Sequence, residues 1–349
     1  MAAKPNLFIQ TAFLGDLCLS VAALKHLKKI SPQSPLWLVA RNGFGKIFAD
    51  IGIVDKVFEI KKGDSASYEK VHVELQKVHF QWIVCPHESL RTAFFLRSLK
   101  AEKKVGFKKV WNFPFFTDRI EKPTALPEAF RQMSLLQAVD KELTPLLSSL
   151  NASEWTSHPL QLKAPPEWCQ GEVMVIPSER SYNEKPMIAV FPGSVWATKK
   201  WTQVGFITLC KKLAASRYQV VLMGSSAERT ICDEIQKQEP SAINVAGEKS
   251  LLETLGLLKS SQLAISNDSG GSHLASLVNT PTISIFGPTV LAQGFRPWVS
   301  KGAAIFVDNL SCRPCGRHGH QKCPIGTHEC MKSLTAETVF AVAQKFLQS

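Results

Sequence analysis

The sequence predicts an α/β protein made of two doubly wound, Rossmann-like halves, and three observations carry that reading. Short apolar runs alternate with amphipathic ones along most of the chain, the pattern of parallel strands joined by crossover helices. At roughly 150 residues per domain, 349 residues make about two domains. Between 146 and 186 the pattern lapses into Pro, Ser, Glu and isolated aromatics before it restarts, as a linker does. In the first half Leu7–Thr11, Leu36–Ala40, Val57–Ile60 and Trp82–Cys85 read as strands; Leu17–Lys29, Gly45–Ile51, Tyr68–Val78 and Arg91–Leu99 read as helices. In the second, Ile188–Phe191, Val220–Met223, Leu263–Ser266 and Thr282–Phe286 are strands between helices near 204–216, 228–238, 251–259 and 271–278. The domains are placed at 1–180 and 181–335, with a last helix over 336–347. Two such halves facing each other put a cleft at the carboxyl ends of their strands, where ligands of these sheets bind.

Composition narrows the class. Apolar residues at 45% and charged residues at 20% exclude a disordered, collagen-like or coiled-coil chain. With 41 basic residues against 29 acidic, the net charge of +12 favours anionic partners: nucleic acid, anionic lipid or a phosphorylated substrate. No apolar run reaches the ~18 to 20 residues of a membrane helix. The best, Leu7 to Leu24, is broken by Asp16, and an acid in mid-run also argues against a signal peptide. Nine cysteines, an odd number in a large chain, point to a reducing cytoplasm rather than a disulfide framework.

Chemistry gathers at the strand-to-helix turns. The first, Thr11 to Asp16, has one glycine, Gly15, for a tight turn where a dinucleotide fingerprint needs three, so a nicotinamide reading fails. Asp16 is then either a helix N-cap or a carboxylate acting as general base. Later, Pro192-Gly193-Ser194 closes a strand and Lys199-Lys200-Trp201 follows, a hydroxyl and an ammonium of the kind that grip phosphates, unless the lysines are merely solvated. Glu228 lies in the first turn after Met223-Gly224-Ser225-Ser226, where an acid suits the helix dipole with or without a ligand. The most telling stretch is Ser266 to His273: Asp268, Ser269 and Gly270 precede a helix whose first amides would be open to a pyrophosphate, His273 sits in its first turn, and Phe286-Gly287-Pro288-Thr289 follows.

Two clusters remain. Seven basic residues between Arg91 and Lys109 face one acid, Glu102; Arg91, Arg97, Lys103 and Lys104 are candidates to meet an acidic acceptor, against the alternative of a solvated helix face. Cys312, Cys315, Cys323 and Cys330 leave two readings open, a tetrahedral zinc or free thiols, because only one pair has tight spacing and His318, His320 and His328 compete as ligands. Nothing resembles a helix-turn-helix or an aromatic-basic RNA surface, so nucleic acid ranks low.

Taken together, the Asn267 to His273 and Phe286 to Thr289 segments, Pro192 to Trp201 and Gly15-Asp16 resemble glycosyltransferase family 9, the ADP-heptose:lipopolysaccharide heptosyltransferases. Pro86 to Ser89, Val105-Gly106-Phe107 and the Cys323-Pro324-Ile325-Gly326 to Cys330 tail, which looks like that of heptosyltransferase II members, extend the resemblance over nearly the whole chain. It implies the GT-B fold, with an acceptor-binding first domain, an ADP-heptose-binding second domain and the last helix packed back on the first. It also implies an inverting transfer that requires no metal or other cofactor. Asp16 matches the base and Lys199 the phosphate-contacting lysine; Ser194 stands where the family often has threonine. Glu228 matches an acid near the ribose or base, and Asp268, Ser269, Gly270 and His273 match the segment around diphosphate and sugar. The implied acceptor is Kdo-containing lipid A of the lipopolysaccharide inner core. With the net charge, it suggests a cytoplasmic protein in peripheral contact with the inner face of the inner membrane, driven by charge. A family 9 enzyme using another nucleotide sugar is the first alternative. A lipopolysaccharide-binding protein without catalysis is the second, and the presence of both Asp16 and Lys199 argues against it.

Overall fold

The structure, a computed structural model, describes residues 3–167 and 185–348, so the boundary expected at 180 lies outside the described residues. The chain divides into two compact units, one carried by residues up to Asn151, the other by Ala152–Pro165 together with the residues from 185 onward.

In the first unit β1 (Asn6–Gln10), β2 (Leu36–Arg41), β3 (Lys56–Ile60), β4 (His79–Cys85), β5 (Lys100–Phe107) and β6 (Asp118–Ile120) form one parallel sheet in the order β3-β2-β1-β4-β5-β6. All five residues of β1 are buried, as expected of a parallel strand covered on both faces, and Leu7, Ile9, Ile83, Phe95 and Leu96 belong to one core. The sequence reading missed β5 because Lys100, Lys103 and Lys104 give it the charge of a loop, and only its last three residues are buried. The single helix expected over 17–29 is two, Leu14–Leu19 and Val21–Ile30. They meet at Ser20, whose hydroxyl engages the Asp16 carbonyl at 3.0 Å, a contact to the preceding turn that bends helices.

The second unit repeats the winding. Its strands β7 (Met187–Phe191), β8 (Gln219–Leu222), β9 (Ile243–Asn244), β10 (Ser261–Asn267), β11 (Thr282–Ile285) and β12 (Gly302–Ile305) run parallel in the order β12-β11-β10-β7-β8-β9. In each sheet the direction of winding reverses between the first and fourth strands, β1/β4 and β7/β10. That reversal opens the crevice in which doubly wound sheets bind ligands.

Two expectations change. Part of the supposed linker is built into the second unit: Leu162 N–H donates to Gly302 O at 2.8 Å and Ala304 N–H to Pro159 O at 2.6 Å. Arg296 fixes the same segment, its guanidinium 5.6 Å from the Trp155 ring and 5.7 Å from that of Trp298. The last helix, Ala336–Gln348, was expected on the first domain, but its buried Val339, Val342 and Ala343 join Phe206, Leu209 and Leu213 in the second unit's core. Apolar residues at 336, 339 and 343 share one helical face, and that face is satisfied there. Val339→Asp should therefore strip hydrogen-exchange protection from β7, β8, β10 and β11 while β1 to β4 keep theirs; loss confined to the first sheet would contradict this packing.

Candidate functional site

The β7/β10 reversal of the second unit collects the residues singled out there. Lys199 closes a short 3-10 turn, Ala197–Lys199, and its Nζ lies 2.6 Å from Asp268 Oδ2, with the side chains only 12% and 3% exposed. Thr289 Oγ1 donates to the same carboxylate oxygen at 2.6 Å, and Asp268 N–H donates to Ile285 O at 2.8 Å. Asn267, fully buried, pins both ends of the connection that follows β7: its Oδ1 accepts from Trp201 N–H at 3.0 Å, while its Nδ2 donates to Pro192 O at 2.9 Å and Gly193 O at 3.1 Å. Trp201 is anchored in turn by its indole N–H on Leu334 O and by the edge of Phe206.

Ser269 stands at the N-cap of the helix Gly270–Leu277 without a side-chain cap bond, leaving the first-turn amides as an anion-binding end. Glycine at 271 lets this helix close on the Phe191 ring; a Cβ there would come within 2.5 Å of it. His273 is buried, its Nδ1 has no hydrogen-bond partner among the described residues, and burial pushes its pKa down to about 4, so the ring is neutral at pH 7. Ser194 is buried beside the end of β7, its Oγ accepting from Trp196 N–H at 3.4 Å. Glu228 accepts from the Ser225 amide at 2.8 Å and hydroxyl at 2.9 Å, and packs so closely over Gly193 that a Cβ there would lie 2.0 Å from its carboxylate.

The cysteine-bearing segment borders this site. Thr198 exchanges hydrogen bonds with His320, its amide and hydroxyl donating to the carbonyl at 3.0 and 2.8 Å; His328 Nε2 sits 2.8 Å from Thr198 O, and His318 stacks on Trp196. Two of the thiols engage the backbone: Cys315 Sγ lies 2.8 Å from Cys312 O, and Cys323 Sγ accepts from His328 N–H. Among the described residues no three His, Cys, Asp or Glu side chains stand where they could share a metal ion.

In the first unit the β1/β4 reversal is tied by His87, whose Nδ1 lies 2.9 Å from Thr11 Oγ1 and 2.8 Å from Thr92 Oγ1. Asp16 is not the N-cap but the third residue of its helix, accepting from Phe13 N–H at 3.3 Å, and Gly15 lies in the first helical turn rather than making a left-handed one. Gln132 links Asp16 to a buried acid: its Nε2 donates to Asp16 O at 3.2 Å and to Glu128 Oε1 at 3.4 Å. Burial, and then the Glu128 charge, push the Asp16 carboxyl up to about 6. The alternative bases are weaker: burial holds His87 down at about 4, and although burial raises Glu88, its bonds to Lys109 and Lys122 pull it below the usual range.

The acceptor candidates are less available than their number suggests. Lys103 Nζ donates to Ala138 O at 2.6 Å, and Lys104 Nζ caps Leu96 O and Arg97 O at 3.1 and 2.7 Å. Arg91 lies over the Tyr68 ring, and Arg97 is exposed. Thr289 and Asn267 were visible in the motifs but had no role, because their partners are distant in sequence.

Asp16 gives a stability test. A carboxyl that ionises at 3.8 when unfolded and at about 6 when folded costs the fold nothing below pH 3.8, where both states hold the proton. The cost builds between those values and is complete above pH 6. Asn at 16 still accepts from Phe13 N–H, so Asp16→Asn should melt at or above the parent near neutral pH, the difference vanishing below pH 3.8. A parent that melts clearly higher at neutral pH would contradict this.

The sequence model of Glycosyltransferase family 9 (heptosyltransferase) matches residues 69–325. A lipooligosaccharide heptosyltransferase 2 of Haemophilus influenzae is 24% identical over 311 residues, 86% of this chain and 87% of that protein. The lipopolysaccharide heptosyltransferase 2 of Escherichia coli K12 is 30% identical over 148 residues, 38% of this chain and 42% of that protein. The solved ADP-heptose lps heptosyltransferase II of E. coli superposes with a TM-score of 0.77 at 21% identity, covering 99% of this chain and 98% of the other. A family 9 glycosyltransferase from Veillonella parvula gives 0.77 at 18% identity, covering 100% and 99%. These likenesses establish the GT-B fold.

Proposed function

The chain belongs to glycosyltransferase family 9, and on that premise we propose that it moves heptose from ADP-L-glycero-D-manno-heptose to the inner core of lipopolysaccharide. The observation that carries this reading is the buried Lys199–Asp268 pair beside the open helix end at Gly270. It supplies an ammonium and free amides where a departing diphosphate gains negative charge, and donors fixed in advance lower such a barrier. Glu228, seated over Gly193, is assigned to the nucleotide's ribose or base, and Ser194, Ser269 and His273 to the diphosphate and sugar.

Asp16 takes the proton of the acceptor hydroxyl as that oxygen bonds to the anomeric carbon. The bond from that carbon to the diphosphate oxygen breaks on the opposite face, and ADP leaves with the electron pair, giving inversion through an oxocarbenium-like transition state. A carboxylate that ionises near pH 6 is a stronger base than an ordinary one and still largely ionised at pH 7. No metal or other cofactor is required in this reading. The acceptor is Kdo-containing lipid A, and the enzyme meets it at the cytoplasmic face of the inner membrane. Among the described residues no helix is long and apolar enough to cross a membrane.

Incubation with ADP-heptose or UDP-sugars and a heptose-deficient Kdo-lipid A acceptor tests this. ADP release should need both ADP-heptose and acceptor, kcat/KM should fall as pH drops through about 6, and Asp16→Asn should lose a factor of ~10² to 10⁴ while still binding ADP. Transfer from a UDP-sugar instead, or near-parental transfer by Asp16→Asn, would overturn the donor or the base respectively.

A further inference from the structure

Away from the residues assigned to transfer, the first unit exposes a contiguous apolar patch. Val110 is 96% exposed, Phe113 67%, Phe94 58% and Leu90 55%. Leu90 and Phe94 are one turn apart on the helix Leu90–Arg97. Phe94 meets Phe115 edge-on with ring centroids 5.1 Å apart, and Phe115 meets Trp111 at 6.4 Å, which joins the helix to the 3-10 turn Val110–Asn112. Scattered apolar residues on a surface need no explanation, but a contiguous patch of them does.

Asn112 satisfies part of this turn's backbone from within. Buried Asn112 accepts from Lys109 N–H at 3.0 Å through its side chain and donates to Phe107 O at 2.7 Å, and its own carbonyl accepts from Phe115 N–H at 3.1 Å. The groups that Asn112 engages can leave water without being stranded, a state an apolar medium penalises heavily.

The segments that carry the patch are rich in basic side chains, yet these hold less free charge than their count suggests. Lys109 is paired with Glu88 at 2.6 Å and Lys108 with Glu121 at 2.5 Å, while Lys103 and Lys104 are bound to backbone carbonyls. Arg97 and Lys100 stay exposed. Aliphatic and phenyl tips, a tryptophan behind them and exposed long cations on the same segments match the layers of a bilayer interface from acyl boundary to headgroup.

We propose that Val110, Trp111 and Phe113, backed by Phe94 and Leu90, insert into the headgroup boundary of an anionic bilayer, so that apolar burial and not charge alone holds the protein there. This rests on the membrane contact proposed above and replaces its purely electrostatic basis.

The test is flotation of the full chain with phosphatidylethanolamine/phosphatidylglycerol vesicles at low salt and at ~1 M salt, where the screening length shrinks to about 3 Å. The parent should keep a bound fraction at high salt. Val110→Ser with Phe113→Ser, both at exposed sites, should melt like the parent but lower that salt-resistant partition about tenfold or more. Complete release of the parent by salt would overturn insertion and leave the charge-driven contact standing; no binding at any salt would overturn both. Parental salt-resistant binding by the double variant would overturn the assignment. So would a fall in the parent's solution mass on substitution, measured by light scattering, with vesicle binding intact, since the patch would then cover a second copy.

Discussion

Taking a carboxylate out of water costs several kcal/mol unless a counter-charge and hydrogen bonds replace the lost water. Asp268 is the most demanding case in the second unit, and Lys199 and Thr289 together meet it. Satisfying that one group ties down three segments: the 3-10 turn ending at Lys199, the end of β10, and the loop after β11. Asn267, the neighbouring residue, pins the end of β7 and Trp201 to the same point. The lysine therefore waits at the strand ends beside the free amides at Gly270. A flexible surface lysine would have to give up side-chain freedom to reach such a place.

The first unit uses the same winding for the opposite purpose. Where the second unit gathers a cation and amides suited to an anion, the first places a half-buried carboxylate, Asp16, close to another acid, so that it holds its proton more tightly. Nearby Glu88 takes two lysines for itself, which leaves it a poor base. The division of labour follows from environment, since residues of the same type are pushed in opposite directions by what surrounds them.

The strands that lie in the middle of the sheets, β1, β2, β7 and β10, were legible because burial on both faces leaves unbroken apolar runs. β5 was not, because its lysines look like a loop until one sees that they end on the carbonyls of Ala138, Leu96 and Arg97. The same blindness made the Arg91 to Lys109 cluster look freer than it is: composition counts charges but not their partners. Thr289 lies 21 residues from the carboxylate it serves, so no local pattern could give it a role. The last helix announced its apolar face correctly and its docking partner not at all, for periodicity specifies a face and leaves open what covers it.

Why the pair is buried can be asked directly by removing both charges. Lys199→Met alone leaves the Asp268 carboxylate with one partner and should cost about 3 to 5 kcal/mol of stability, whereas Lys199→Met combined with Asp268→Asn should regain most of that loss, because buried pairs are often replaceable by neutral groups. ADP titration of the double variant then decides whether the pair is kept for the diphosphate. The expected result is recovered melting with ADP affinity still at least about tenfold below the parent, the loss of one charge-assisted contact. A double variant that melts well and binds ADP as tightly as the parent would contradict the assignment of this ion pair to the donor site.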